Sequence, residues 1–509
     1  MRTLCLVTAV LLLHAAPAFS QDWPAWGGAD PGRNMASAVT GLPDRFDPGK
    51  PKPGSEDIDL ATTKNVRWIA RLGSQTYGNT VVAGGKVFVG TNNEMPRDPR
   101  HTGDRSILLC LDEKTGDLLW QLVVPKLKAG KANDWESLGI LSSPFVQGRR
   151  LWLVTSRNEV LCLDTEGQAN GNDGPFQDEA AYCVQDTGQP PVAPGPKDAD
   201  ILWRFDMIDQ TGAFPHNAAN CSVLVLGDTL YAGTGNGTDW THRNVPCPFA
   251  PSLLALDKNT GRLLAEDGAG IGPRLFHGQW SSPSAGVVDG KPLVFFGAGD
   301  GWLYAFNARP ANATGTNLLS VAWKFDCNPP EYKMKDGEPI KYPEANGPSE
   351  VNATPAFYDG RVYVATGQDP EQGDGVGRLV CVDAARGSLL WDNKTVHRSL
   401  STVSIDPQTG LLFLADYAGF LYCLDAKTGQ PHWTYDTKAH VWGSTLVADG
   451  RVHVGDEDGD FCVLAASKEK KLISEVNLGG PVYSTPVAAN GVIYVATQTH
   501  LYAIGKSGK

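Results

Sequence analysis

The chain has no basic stripe, no second long apolar run and no tightly spaced metal-ligand motif. Its 44 Lys and Arg stand against 56 Asp and Glu, a formal net charge of -12. Nucleic-acid binding rests on phosphate neutralisation by cations, so that class is excluded. KEKK (468–471) is the one basic cluster, and it suits a solvated turn. Apart from LCLVTAVLLL (4–13), no apolar run approaches membrane-spanning length, and that one is too short. There is no C-x-x-C-H, so no haem is attached covalently to this chain. No His-x-His or HExxH fixes a zinc geometry in advance, and no two cysteines adjoin.

What is present begins with an export address. Arg2, the apolar run and the small residues Ala18 and Ser20 predict a signal peptide over 1–20, cut after about Ser20. Cys5 is not at a lipoprotein-type junction, so the expectation is a periplasmic or secreted protein without a lipid anchor. Residues 21–64 are rich in Pro and Gly. The remainder, 65–509, is built from repeats. The 57 glycines, 35 prolines and 14 tryptophans of the chain suit short strands joined by many turns.

LLCLDEKTGDLLW (108–120) and LYCLDAKTGQPHW (421–433) are the clearest copies of one phrase: strand, Asp-led turn closed by Thr-Gly, strand ending on Trp. LVCVDAARGSLLW (379–391) and LLALDKNTGRLLA (253–265) are weaker copies. Each follows a second phrase, strand–turn–strand, such as TVVAGGKVFVG (80–90) or STPVAANGVIYVAT (484–497). Asp-Gly and Asn-Gly in several turns are strong hairpin signals. Eight such units of four antiparallel strands, recurring at roughly 40–60 residues, predict an all-β, eight-bladed β-propeller. The last unit lacks an outer strand. NVRWIARL (65–72) can supply it and close the ring, which removes two free sheet edges.

Cys110, Cys162, Cys381, Cys423 and Cys462 share one repeat position with Ala255, Ala305 and Ala503. A site that accepts Cys or Ala wants a small apolar side chain, so these are read as buried thiols. Cys183, Cys221, Cys247 and Cys327 lie outside the pattern, and one or two disulfides among them suit an exported protein. Trp68, Trp120, Trp203, Trp323, Trp391 and Trp433 sit on outer strands, where a large ring can wedge between blades.

The phrase L-x-x-L-D-x-x-T-G-x-x-x-W resembles the tryptophan-docking repeat of the pyrroloquinoline quinone (PQQ) class, the quinoprotein alcohol dehydrogenase-like propellers. The resemblance spans about 65–509, and DWPAWGG (22–28) is similar to exported PQQ-like propellers of planctomycete-type bacteria. It implies eight blades but not an activity, because the outer-membrane assembly lipoprotein of the same superfamily uses similar blades without cofactor. In the dehydrogenases a G-x-G-N loop carries a calcium ligand; GTGN (233–236) matches it and makes Asn236 a candidate metal ligand, with a turn role as the alternative. The family's catalytic Asp would fall at Gly278, before Trp280, and its quinone-stacking Trp near Asn220. Its vicinal cysteines are absent, and Glu159 is a poor counterpart of its calcium-binding Glu. PQQ and Ca²⁺ are therefore disfavoured.

A different set stands just before the innermost strands: Trp135 and Glu136; His216 and Asn217; His277, Gln279 and Trp280; Glu350 and Asn352; His397 and Arg398; His440 and Trp442. Tyr77, Asn79 and Tyr483 complete the ring. Innermost strands line the channel, so these residues are expected to converge on one mouth and bind a polar ligand there. Two function classes follow. One is a non-catalytic exported propeller binding a small molecule, glycan or protein partner at the axial face. The other is an enzyme, a divergent PQQ/Ca²⁺ dehydrogenase or an unrelated activity using His277, Glu136 and Glu350. Long insertions at 92–105 and 237–251 carry Arg97, Arg100, His101, Arg105, His242 and Arg243, which suit either solvated loops or an anionic ligand.

Overall fold

A computed structural model describes residues 21–184, 188–310, 313–340, 347–370 and 376–506. The expected signal peptide, 1–20, lies outside the described residues. Eight four-stranded antiparallel blades surround an axis. Their innermost strands, in order, are Val81–Ala83, Phe145–Gln147, Leu224–Leu226, Ser284–Val288, Ala356–Tyr358, Ser404–Ile405, Leu446–Ala448 and Val487–Ala489. Blade eight takes its outer strand, Val66–Arg71, from the start of the ring, paired antiparallel to His500–Ile504 as expected. Among the described residues no helix is long and apolar enough to cross a membrane.

The repeat phrase has a packing explanation. Cys110 pairs with Trp120, Cys162 with Trp203, Cys381 with Trp391 and Cys423 with Trp433 across the two outer strands. A small residue opposite each indole leaves room for it to lean onto the next blade. There its Nε1 donates to a carbonyl: Trp68 to Glu113 at 2.9 Å, Trp120 to Thr165 at 2.9 Å, Trp323 to Ala384 at 2.8 Å. The ring lies on the turn glycine of that blade. At Gly429 a Cβ would stand 2.6 Å from the Trp391 ring, and φ is +72°. Gly429→Ala is therefore expected to cost about 2–4 kcal/mol, from left-handed strain plus overpacking. A urea titration checks this; an unchanged midpoint would show that the blade junction relaxes. Blades three and seven carry Ala265 and Glu475 in place of the indole, and the strand Asn317–Leu319 pairs onto the blade-three edge instead.

All nine described cysteines are free, so the disulfides allowed for Cys183, Cys221, Cys247 and Cys327 do not form. Cys221 and Cys327 are buried in different blades, and the Cys221 sulfur instead accepts the Gly233 N–H at 3.1 Å. The acidic run DEDGD (456–460) is a hairpin turn held by its own side chain. Asp456 accepts the Asp460 N–H at 2.9 Å, as Asp416 accepts that of Phe420 at 3.0 Å in the equivalent hairpin.

The N-terminal segment is an axial plug. Innermost strands present unpaired backbone groups to the channel, and these need partners. Residues 23–37 supply them blade by blade. Trp23 bridges Val82, and the carbonyls of Pro24, Pro31, Gly32 and Met35 accept N–H bonds of 2.8–2.9 Å from Val146, Ala285, Phe357 and Val447. Asn34 exchanges two bonds with Ile405, at 2.9 and 2.7 Å, and Ser37 donates to Ala488 at 2.9 Å. Arg33 reaches Val223 of blade three at 2.6 Å. All eight blades are tied to this one strap, which closes the channel at that end.

Candidate functional site

Above the plug runs a belt of hydroxyls. The N–H of Ser143 donates to Ser222 Oγ, Ser222 to Ser282, Ser282 to Thr354, Thr354 to Thr402, Thr402 to Ser444, and Ser444 to Thr485, at 2.8–3.4 Å. Thr485 N–H then donates to Asn79 Oδ1 at 2.6 Å. Each blade thus grips the next through the first residues of its innermost phrase. The belt stops between blades one and two, where Ser143 Oγ is buried without a partner.

The belt surrounds an axial cavity of about 390 Å³. Trp26, from the plug, is part of its wall and donates Nε1 to Thr354 Oγ1 at 3.0 Å. Five more rings line it: Tyr77, Trp135, Trp280, Trp442 and Tyr483. Tyr77 stacks on Tyr483 at 4.7 Å between centroids, and Trp442 stands edge-on to Tyr483 at 5.6 Å. Glu457 holds two of these rings, accepting from Trp442 Nε1 at 3.3 Å and Tyr483 Oη at 3.4 Å. Between the rings lie the amides of Asn79, Asn217, Asn220 and Asn352. Asp369 is the one charged side chain among the described lining residues. A cavity of this kind offers flat apolar faces with amide and hydroxyl edges, and little charge.

Of the residues expected at the mouth, Tyr77, Asn79, Trp135, Asn217, Trp280, Asn352, Trp442 and Tyr483 do line the cavity. Glu136 is exposed to solvent. Glu350 is fully buried, neither carboxyl oxygen has a hydrogen-bond partner, and desolvation pushes its pKa up to about 8. Arg398 is buried, donates to the Asp369 carbonyl at 3.2 Å and lies 4.5 Å over the Tyr417 ring. Gln279 donates to Ser252 Oγ at 2.8 Å and to the Asn236 carbonyl at 3.2 Å. The enzyme candidates His277, Glu136 and Glu350 are thus not assembled in the cavity wall.

The four histidines expected to meet separate into pairs of different fate. His216 and His277 pack ring to ring, 4.1 Å between centroids, against Trp280. Burial pushes His216 down to about 4 and His277 well below its ordinary value, so both are neutral at pH 7. His397 and His440 are exposed and turn to partners within blade six. His397 Nδ1 lies 2.9 Å from the buried Asp416, and His440 stacks 4.2 Å from Tyr417. Position before an innermost strand fixes where the Cα sits, not which way the ring points. The third ring beside His216 and His277 is His242, from the blade-three insertion. Sequence spacing gave no sign of it, nor of Trp26, Asp369 and Glu457, which come from the plug and from hairpin loops.

The quinone and calcium suggested by the resemblance do not fit these residues. PQQ is a planar tricarboxylate, and no Lys, Arg or His side chain is among the described lining residues. At Gly278, the position of the family's base, a Cβ would stand 2.7 Å from the Trp280 ring, so the indole occupies that space. Asn236 donates Nδ2 to the Cys247 carbonyl at 3.0 Å, which holds the side chain in its own insertion loop and leaves Oδ1 as one oxygen donor of the several that calcium needs. Glu159 is consumed by Arg204 at 2.9 Å and Tyr182 at 2.7 Å.

Comparison with known proteins bears on the fold and its lineage. The family model for outer membrane protein assembly factor BamB, a PQQ-type repeat family, matches residues 61–323, 299–409 and 377–472. The dehydrogenase subunit of an alcohol dehydrogenase (quinone) from Gluconacetobacter polyoxogenes is 22% identical over 445 residues, covering 77% of this chain and 56% of the relative. The chain thus spans little more than half the length of that relative. BamB from Moraxella catarrhalis superposes with a TM-score of 0.52 at 13% identity, covering 87% of this chain and 98% of that one. A europium-containing methanol dehydrogenase gives 0.58 at 13% identity, covering 94% and 89%.

Proposed function

Because the chain belongs to the outer membrane protein assembly factor BamB family of PQQ-like propellers, we propose that it is an exported, non-catalytic binding propeller whose axial cavity takes a neutral glycan. The family joins non-catalytic and quinone-dependent propellers, and the reading rests on the cavity. The observation that carries the reading is the wall itself: six aromatic rings interleaved with amides and hydroxyls, and one carboxylate among the described residues. Sugar rings present apolar C–H faces that stack on indoles and hydroxyl edges that pair with amides. A cavity of about 390 Å³ matches a ligand of one or two sugar units. The apolar run at 4–13 supports export to the periplasm or beyond.

The experiment is calorimetric titration of the purified mature chain with a panel of neutral mono- and oligosaccharides. At least one is expected to bind one to one. Trp442→Ala and Trp135→Ala should each weaken that binding about tenfold, the value of one lost stacking contact of about 1.4 kcal/mol. No binding across the panel, or binding indifferent to both substitutions, would overturn the proposal.

A further inference from the structure

At the junction of blades three and four stands a cluster that the axial cavity does not use. His216 comes from the loop before the innermost strand of blade three, His277 from the same place in blade four. His242 comes from the insertion between the second and third strands of blade three. Their ring centroids are 4.1, 4.6 and 5.1 Å apart, and one nitrogen from each lies within 4.8 Å of the others.

Simple aromatic packing does not account for the nitrogens. His216 Nδ1 lies 2.7 Å from the Thr238 carbonyl, which can only accept, so Nδ1 carries the proton. The lone pair is then on Nε2, which is buried without a partner. His277 is 1% exposed, and neither of its nitrogens has a hydrogen-bond partner. Buried polar atoms in native proteins are normally satisfied, so several orphaned nitrogens in one nest require an explanation. A ring nitrogen pinned by a backbone carbonyl, with its opposite nitrogen aimed into a cluster, is the arrangement found behind metal-ligating histidines.

We propose that His216, His242 and His277 bind one zinc-type transition-metal ion through their imidazole nitrogens. Three nitrogen donors suit Zn²⁺ or Cu²⁺ and do not suit Ca²⁺ or Mg²⁺, which take oxygen. The nearby Asp239 is engaged elsewhere, accepting from Thr241 Oγ1 at 2.5 Å and Asn244 at 3.0 Å. The ion would cross-link three segments distant in sequence. Two of them carry Asn217 and Trp280 into the cavity wall, and Trp280 Nε1 donates to the His216 carbonyl at 3.2 Å.

The test uses the full mature chain, stripped with a chelator and titrated with zinc chloride. One ion per chain is expected, with submicromolar affinity. His242→Ala, on a part-exposed loop, and His277→Gln should each weaken it at least tenfold, while His440→Gln leaves it unchanged. If His277→Gln does not fold, His242→Ala carries the test alone. X-ray absorption at the zinc edge should show nitrogen neighbours at about 2.0 Å. Failure to bind, equal binding by the His242 variant, or sulfur neighbours at about 2.3 Å, which would move the ion to a cysteine, each overturn the proposal.

Discussion

Arg33→Ala is expected to destabilise the protein by about 3–5 kcal/mol, among the largest effects of any single substitution. Arg33 is 1% exposed and lies at the axis within the plug. Its guanidinium donates to the carbonyls of Trp26, Pro283 at 3.3 Å and Val223 at 2.6 Å. Burial lowers its pKa to about 10, which leaves it charged at neutral pH. Removing it strands three carbonyls and leaves a void where the strap crosses the channel. Hydrogen bonds to charged groups are worth about 1.5–3 kcal/mol each, and the losses overlap because the three acceptors share one fork. Arg33→Lys keeps the charge but not the fork, so an intermediate loss is expected. Urea titration of the three proteins checks the order; a loss under about 1 kcal/mol for the alanine variant would mean that water substitutes for the side chain.

Glu350→Gln is expected to remove an alkaline weakness of several kcal/mol. An acid whose folded pKa is about 8 and whose unfolded value is 4.5 binds more protons when folded across that interval. Its contribution is therefore fully favourable below pH 4.5 and is lost as pH rises through 8, because ionising the buried carboxyl opposes folding. The difference amounts to roughly 5 kcal/mol once the group is fully ionised. Asp369 reinforces the upward shift and Arg398 opposes it, both less than burial does. Urea midpoints from pH 4 to 9.5 should nearly meet at the acid end, separate progressively between pH 4.5 and 8 and keep a constant gap above pH 8, with the glutamine variant the more stable. Parallel curves would show that Glu350 is ionised in the folded protein throughout.

The ring was legible because its repeats state local rules. The Asp-led turn, the small residue opposite an indole and the glycine beneath that indole recur at fixed offsets, and each has a packing cause. Eight of the mouth residues were legible for the same reason. Residues without a repeat were not. Arg33 and Asn34 act through main-chain groups of the plug itself and of blades three, four and six, which no spacing announces. His242 joins its cluster from an insertion, whose path depends on the whole blade junction. His397 and His440 occupy the expected positions, yet Asp416 and Tyr417 claim their rings. The cysteines Cys183, Cys221, Cys247 and Cys327 gave counts but not distances, and the fold leaves them apart as free thiols.

We propose that this propeller keeps the ring of the quinone-dependent enzymes and takes an uncharged polyol in its axial cavity. Side-by-side calorimetry on the mature chain tests it, with PQQ plus Ca²⁺ in one series and neutral oligosaccharides in the other. The account predicts one-to-one saccharide binding and no stoichiometric heat from the quinone. One equivalent of quinone bound, with no saccharide response, would contradict it.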